Sequence, residues 1–364
     1  MKGQFSEERL ARGKTRPPVG KVTPELFADV ILEHLGAEDE DVLVRPQHGV
    51  DFGIVRVAPG TVMALTSDPV FVVPAYGWQR AAWFAAHILA SDAATSGLPF
   101  RWMAVDLNLP PDTSDEDVAA LWEAYAETCA DLGLAVVTGH TGRYEGCTWP
   151  MVGGATCIAV GGEDEYVTPA MARPGDAVVV TKGAAIEATA LFAATFPDRL
   201  AERVGSETLR RADALFEQMT VVPEARIARE FGLRERGVTA MHDATEGGVL
   251  GGLVELATAS GVGLCAHKED VPVRPEVREV CERIGIDPYV SISEGTLIAA
   301  VRLDRADDFL RALSAEGIDA AAVGETTPPE HGVVLVEDGE EHTLGHPGRD
   351  PFWDAFARWA EDTG

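Results

Sequence analysis

The feature that most constrains this chain is an alternation of short apolar runs with amphipathic or alanine-rich segments, repeated on both sides of a Pro174-Gly175-Asp176 turn. Before the turn, strands are predicted at 53–57, 62–66, 101–107, 134–138 and 151–160, with Asp68 just beyond the second. After it, they are predicted at 177–181, 238–242, 263–267, 296–301 and 320–325, with a final hairpin around Asp338 and Gly339. Helices are predicted at 24–35 (capped by Thr23), 78–96 (closed by Gly97) and 114–132, then at 186–194, 206–219, 223–231, 248–260, 275–284 and 306–315. The 114–132 helix is the clearest. Ser114 caps it with Asp117 three residues on, and Val118, Leu121, Trp122, Tyr125, Cys129 and Leu132 make one apolar face. Such alternation predicts α/β to α+β architecture, with helices covering the sheets of two domains. The first domain is predicted to close near 167–173. A last amphipathic helix at 348–364, carrying Phe352, Trp353, Phe356 and Trp359, is predicted to pack on the body or on a partner.

Composition excludes several classes. Of the 364 residues 46% are hydrophobic, which is too rich for a disordered chain. No run of about eighteen apolar residues occurs, so no membrane partner is expected. The first eighteen residues are polar and charged and lack the apolar core of a signal peptide, so a cytoplasmic protein is expected. The five cysteines form no C-x-x-C pair and are expected to be reduced, mostly buried thiols. The net charge of −29 disfavours nucleic acid as a partner. Lysine occurs only at Lys2, Lys14, Lys21, Lys182 and Lys268. The acidic, lysine-poor coat suits a high-salt cytoplasm, where screening weakens self-repulsion.

Several routes to phosphate or hydrolytic chemistry are missing. The chain has no G-x-x-x-x-G-K-[ST], no strand-linked G-x-G-x-x-G, no H-E-x-x-H and no G-x-S-x-G. His342 and His346 read as loose surface histidines.

What remains is a set of segments that place carboxylates and glycines at the ends of predicted elements. They are His48-Gly-Val-Asp51-Phe-Gly53, Thr66-Ser-Asp68-Pro69, Ser91-Asp92-Ala-Ala-Thr-Ser-Gly97, Thr138-Gly139-His140-Thr141-Gly142 and His242-Asp243-Ala-Thr-Glu246-Gly247-Gly248. Magnesium takes hard oxygen ligands, commonly one or two carboxylates plus substrate phosphates. Asp51, Asp68 and Asp92 supply such ligands if their loops converge. Gly53, Gly97, Gly139 and Gly142 allow backbone amides to approach phosphate oxygens. Gly247 and Gly248, at a helix start, offer amides and a favourable dipole to an anion. Taken singly, each piece also suits a plain role: Asp51 beside glycine shapes a turn, and Glu246 complements a helix dipole.

In order, these segments resemble the PurM-like superfamily: aminoimidazole-ribotide (AIR) synthase, thiamine-monophosphate kinase, selenophosphate synthetase and the hydrogenase-maturation protein HypE. Gly49-Val-Asp51-Phe-Gly-Ile-Val is similar to the family's early acidic nucleotide loop, and Leu65-Thr-Ser-Asp68-Pro-Val to its strand ending in aspartate. Ser91-Asp92-Ala-Ala-Thr-Ser-Gly97 is similar to its N-D-x-A-x-x-G helix, and Gly139-His140-Thr141 to its G-D-T or G-H-T turn. Met241-His-Asp243-Ala-Thr-Glu246-Gly-Gly248, Cys281-Glu-Arg-Ile-Gly-Ile-Asp287-Pro and Ser293-Glu294-Gly295-Thr-Leu resemble HypE. The resemblance runs from about residue 21 to about residue 336.

The resemblance implies a two-domain PurM-like fold. A flexible arm at 1–20 would precede an α/β ATP-binding domain at 21–168 that forms a dimer barrel. An α+β domain at 169–336 and a hairpin and amphipathic tail at 337–364 would follow. It implies ATP and Mg2+ as cofactors, with Asp51, Asp68 and Asp92 as metal ligands. Asp51, Gly139, His140 and Thr141 would contact the nucleotide phosphates, and Asp243, Glu246 and Glu294 would line the substrate side. A homodimer, a maturation partner protein and a small-molecule or carrier-bound substrate are implied as partners. The activity implied is phosphorylation or similar activation of a substrate oxygen. The alternatives are a non-catalytic ATP-binding scaffold and a small-molecule kinase resembling thiamine-monophosphate kinase. The chain departs from the pattern in four places. The sequence ends Glu361-Asp-Thr-Gly364 without HypE's terminal cysteine, the first loop has one aspartate, His140 replaces the G-D-T aspartate, and Glu246 replaces the arginine of T-R-G-G.

Overall fold

The computed structural model describes Val22 and residues 26–361. Up to Glu38 the chain forms a unit of its own, in which Phe27–Ile31 is one π-helical turn and Leu32–His34 a 3-10 turn. The predicted cap Thr23 and first-turn Pro24 lie outside the described residues. The second unit, from Asp39 onward, contains two sheets.

The first sheet has strand order β1-β2-β3-β6-β4-β5, built from β1 (Val42–Val44), β2 (Gly53–Ala58), β3 (Thr61–Phe71), β4 (Phe100–Leu109), β5 (Ala135–Arg143) and β6 (Met151–Gly162). All its pairs are antiparallel except β4 with β5. Helices α1 (Trp78–Ala94) and α2 (Asp115–Asp131) cover one face. The period-two pattern of β3 explains this: Val62, Ala64, Thr66 and Val70 turn inward and are buried. Met103, Val105, Leu107 and Leu109 do the same on β4. The opposite face is open and leaves Trp102 and Met151 exposed. Helix α2 starts as its sequence predicts, with Ser114 Oγ accepting from Asp117 N at 3.0 Å.

Strands β3 and β5 run several residues further than predicted, and both extensions take in segments singled out in the sequence. Asp68 lies inside β3, not beyond it, and Pro69 is accommodated in the strand next to a register break between Pro69 and Phe71. The predicted Gly139-His140-Thr141 turn is instead the middle of β5. There Gly139 is required by close approach: a Cβ on it would lie 1.9 Å from the Val105 carbonyl oxygen.

The second sheet has the order β13-β12-β9-β11-β7-β10-β8. Its strands are β7 (Asp176–Thr181), β8 (Val238–Asp243), β9 (Gly263–His267), β10 (Leu297–Arg302), β11 (Ala320–Thr327), β12 (Val333–Glu337) and β13 (Glu340–Thr343). β7 and β8 are buried along their whole length, because the sheet is covered on both faces. Val178 and Val180 face α6 (Gly248–Ser260), while Val179 faces α5 (Val222–Phe231) and α8 (Ala306–Ala315). Helix α1 joins this core too, because Ala94 packs with Val179 and Met241 in one cluster.

The remaining helices, α3 (Ile186–Thr195), α4 (Pro197–Asp213), α7 (Pro275–Ile284) and α9 (Pro351–Glu361), share a third apolar cluster. Helix α4 starts before the predicted 206, bending at Gly205 with φ +79°, and ends at Asp213. The C-terminal helix packs on the body, which decides between the two predicted outcomes. Phe352 and Trp359 are buried, Phe192 meets the Trp359 ring edge-on at 5.3 Å, and Arg199 lies 4.2 Å over that ring. Among the described residues no helix is long and apolar enough to cross a membrane. We expect Trp359→Ala to cost about 3–5 kcal/mol in urea-induced unfolding, the range for truncating a buried aromatic. A loss below about 1 kcal/mol would show that α9 contributes little to the folded body.

Candidate functional site

The site forms where β3 and α1 of the first sheet meet the end of β8 in the second. Thr66 on β3 organises it. Its Oγ1 lies 2.7 Å from the Asp51 carbonyl oxygen and 3.1 Å from Asp92 Oδ2, so one hydroxyl proton is shared between loop and helix. Asp92, in the last turns of α1, is buried. Burial holds its carboxyl well above the usual carboxylate range, and the charges of Asp243, Asp68 and Asp51 push it the same way. The structure therefore gathers Asp51, Asp68 and Asp92, and it adds Asp243, which is fully buried at the end of β8.

Beside them stands His242, which the sequence did not single out. Its Nδ1 faces Asp51 Oδ2 at 3.4 Å and its Nε2 meets Glu255 Oε2 at 2.9 Å. Burial opposes a charge on this ring, but the bonds to Asp51 and Glu255 outweigh it and raise the imidazole to about 10. Ligand atoms of Asp51, His242 and Asp243 lie within 4.8 Å of one another. Converging carboxylates that repel one another's ionised forms suit a hard divalent cation.

A second acidic group contains Glu187, Glu294 and Asp350. Glu294 is 2% exposed, and its backbone N–H donates to Glu187 Oε2 at 3.0 Å. Glu187, in the first turn of α3, is pushed up to about 8, chiefly by burial, with Glu246, Asp350 and Asp243 adding to it. Asp350, just before α9, accepts from the amides of Gly247 and Phe352 at 2.9 Å each. Burial pushes it to about 6. The Gly247 amide, expected to serve an external anion, is thus taken by a side chain of the same chain. His346 is no loose surface residue either: its Nε2 lies 3.5 Å from Glu255 Oε1, and its ring covers Gly247 and Gly251.

Glu187 and Asp350 escaped sequence reasoning for a plain reason. An acid in a helix's first turn or just before a helix looks like any dipole partner or cap.

Gly139, His140 and Thr141 do not join the cluster within this chain. Asp68 pairs with Ala155, Ala155 with Val105, and Val105 with Gly139. That is three strand spacings, roughly 14 Å. His140 is paired with Asp106, one position on, so it projects from the open face, where it stacks on Tyr144.

A cavity of about 880 Å³ lined by Lys182, Glu224, Phe231, Arg274 and Asp319 contains none of the clustered aspartates. Its one lysine is committed: Lys182 Nζ reaches Gln218 O at 3.2 Å, Thr220 O at 2.6 Å and Glu224 Oε1 at 2.6 Å.

With this geometry in place, relatives can be compared. The family model of the AIR synthase related protein N-terminal domain matches residues 49–162, and that of the C-terminal domain matches residues 173–337. The chain belongs to the AIR synthase related protein family. Among curated members it is 27% identical to carbamoyl dehydratase HypE of Escherichia coli strain K12, covering 94% of this chain and 97% of that one. It is also 27% identical to HypE of Azotobacter vinelandii, covering 78% and 80%. The two-domain PurM-like fold is shared with the crystal structure of E. coli HypE, at TM-score 0.64 and 27% identity over 79% of this chain and 87% of that one. More distant folds in the family are a HypE in complex with ATP (TM-score 0.65, 21% identity, 92% and 97% covered) and a thiamine-monophosphate kinase complexed with AMPPCP and TMP (0.66, 21%, 89% and 97%). Another is a HypE–HypF complex (0.66, 20%, 88% and 99%).

The raised carboxyls have a consequence for stability. Glu187 at about 8, against an ordinary 4.5, binds a proton in the folded state that the unfolded chain releases. Its contribution is complete below about 4.5 and is lost as pH rises through about 8. In chelator-treated protein, Glu187→Gln should therefore flatten the fall in Tm across this window. A Tm–pH curve parallel to that of the unmutated protein would contradict the assignment.

Proposed function

We propose that this chain is a Mg-ATP-dependent enzyme of the HypE type, which activates an oxygen of a small or carrier-bound substrate by phosphorylation. The observation that carries the reading is the convergence of Asp51 and Asp92 on the Thr66 hydroxyl, with Asp68 beside Asp92 and Asp243 arriving from the second sheet. Solved relatives complexed with ATP or AMPPCP support it.

In this reading Asp51, Asp68 and Asp92 hold magnesium, with Asp243 beside them. The metal would neutralise the charge of the phosphates. Phosphoryl transfer asks little more of a protein than in-line positioning and such neutralisation. His242 orients Asp51 from behind and balances part of its charge. Glu246, Glu294 and Asp243 face the acceptor. Gly139, His140 and Thr141 reach the phosphates from a second copy of the chain, docked through the open face of the first sheet, since one chain holds them roughly 14 Å away. A solved HypE–HypF complex supports a maturation protein as a further partner.

Calorimetric titration with Mg-ATP tests the site. Asp68→Asn and Asp92→Asn should each weaken binding more than tenfold while leaving the fold intact by circular dichroism. Unchanged affinity in both variants would sink the metal assignment.

A further inference from the structure

Resting on that reading of the site, we infer that the second substrate is held through a positively charged nitrogen group lodged against Glu187 and Glu294, and not through a phosphate or carboxylate. Three independent observations lead there.

The first is an unmet acceptor. Glu294 Oε1 is buried and has no hydrogen-bond partner, in a residue only 2% exposed. A buried carboxylate oxygen without a donor costs free energy that an N–H donor from a ligand would recover. A cationic donor would recover more, because Asp243 and Glu187 act on Glu294 against the opposing charge of Lys182, and Glu246, Asp350 and Asp243 act on Glu187.

The second is that the devices proteins use to bind anions are already in use here. The Gly247 amide at the start of α6 donates to Asp350. Lys182 gives its ammonium group to Gln218, Thr220 and Glu224. Arg274 donates through Nε to the Lys182 carbonyl and places Nη2 near Asp319. An anionic substrate group would meet carboxylates and, among these donors, none that is uncommitted.

The third concerns spacing. Among the described residues the group close enough to chelate a metal ion is Asp51, His242 and Asp243, and it includes neither Glu187 nor Glu294. An organic cation, which spreads its charge over several N–H groups, meets such carboxylates without requiring three converging ligands.

A set of small probes of matched shape decides the matter: methylguanidinium, its neutral counterpart methylurea, and acetate. They would be titrated into the full chain with and without Mg-AMPPCP, at concentrations well below those that unfold proteins, and followed by ligand-observed NMR. Methylguanidinium should bind at least tenfold more tightly than methylurea, with acetate weakest. Glu294→Gln and Glu187→Gln, both close in shape to the native residue, should each reduce the preference for methylguanidinium over methylurea at least fivefold. Absence of methylguanidinium binding, equal binding of methylurea, tighter binding of acetate, or an unchanged preference in both variants would overturn the inference. A separate titration with Mg-AMPPCP alone reports on the nucleotide reading. Its failure would not affect the nucleotide-free probe series, so the two ideas can fall independently.

Discussion

The burial of Asp92 beside Asp243 is the constraint around which this structure is arranged. Removing ionised carboxylates from water is expensive, and placing them near one another raises the cost. Asp92 answers by holding its proton more tightly, and Asp51 by facing the His242 imidazolium. The rest of the cost falls on packing. The aspartates can stay together only if the strand, helix and second sheet that carry them are pressed into fixed positions by apolar contacts on their other faces.

Helix α1 shows how this is achieved. It lies between the two halves and must be buried on more than one side, which large residues would prevent. Ala81, Ala82, Ala85, Ala86, Ala90, Ala93 and Ala94 are all buried, so sheet and helices approach closely around it. Polar contacts then fix it against the second half. Ser91 Oγ accepts from Val221 N at 3.1 Å, His87 Nδ1 lies 2.9 Å from Thr220 Oγ1, and Arg80 pairs with Asp213 at 2.8 Å. Asp92 is thus held by the same helix that joins the halves. A disturbance of this junction reaches the site without touching a ligand residue.

The parts of this design that were legible in the sequence are those with a local cause. The Ser114 cap, the Gly97 stop at φ +73° and the β12–β13 hairpin all follow from the residues present. The convergence of Asp51, Asp68 and Asp92 was visible only through the order of their segments, since each is ordinary alone. What escaped depended on partners distant in the chain. Pro69 is tolerated inside β3 because of how β6 pairs with it, and Gly139 is needed inside β5 because of where Val105 stands. Glu187 acquires its character from its burial, with Glu246 and Asp350 adding to it, and Asp350 takes an amide from a residue 103 positions away. No spacing rule reaches that far.

The charge of the whole molecule bears on the same site. At −29 the surface repels an anionic nucleotide before it reaches the cleft, and the cleft's own carboxylates add to that field. Salt shortens the reach of the repulsion to about 10 Å at 0.1 M and about 3 Å at 1 M. Inside the cleft the interactions are desolvated and much less screened. Under the nucleotide reading, added salt would therefore ease the approach of Mg-ATP more than it weakens the contacts made once bound. This is the opposite of a basic nucleic-acid binder, whose affinity salt erodes. Under that reading the acidic coat and the acidic site have different consequences: the first tunes access through ionic strength, while the second would select, by the sign of its charge, what can remain.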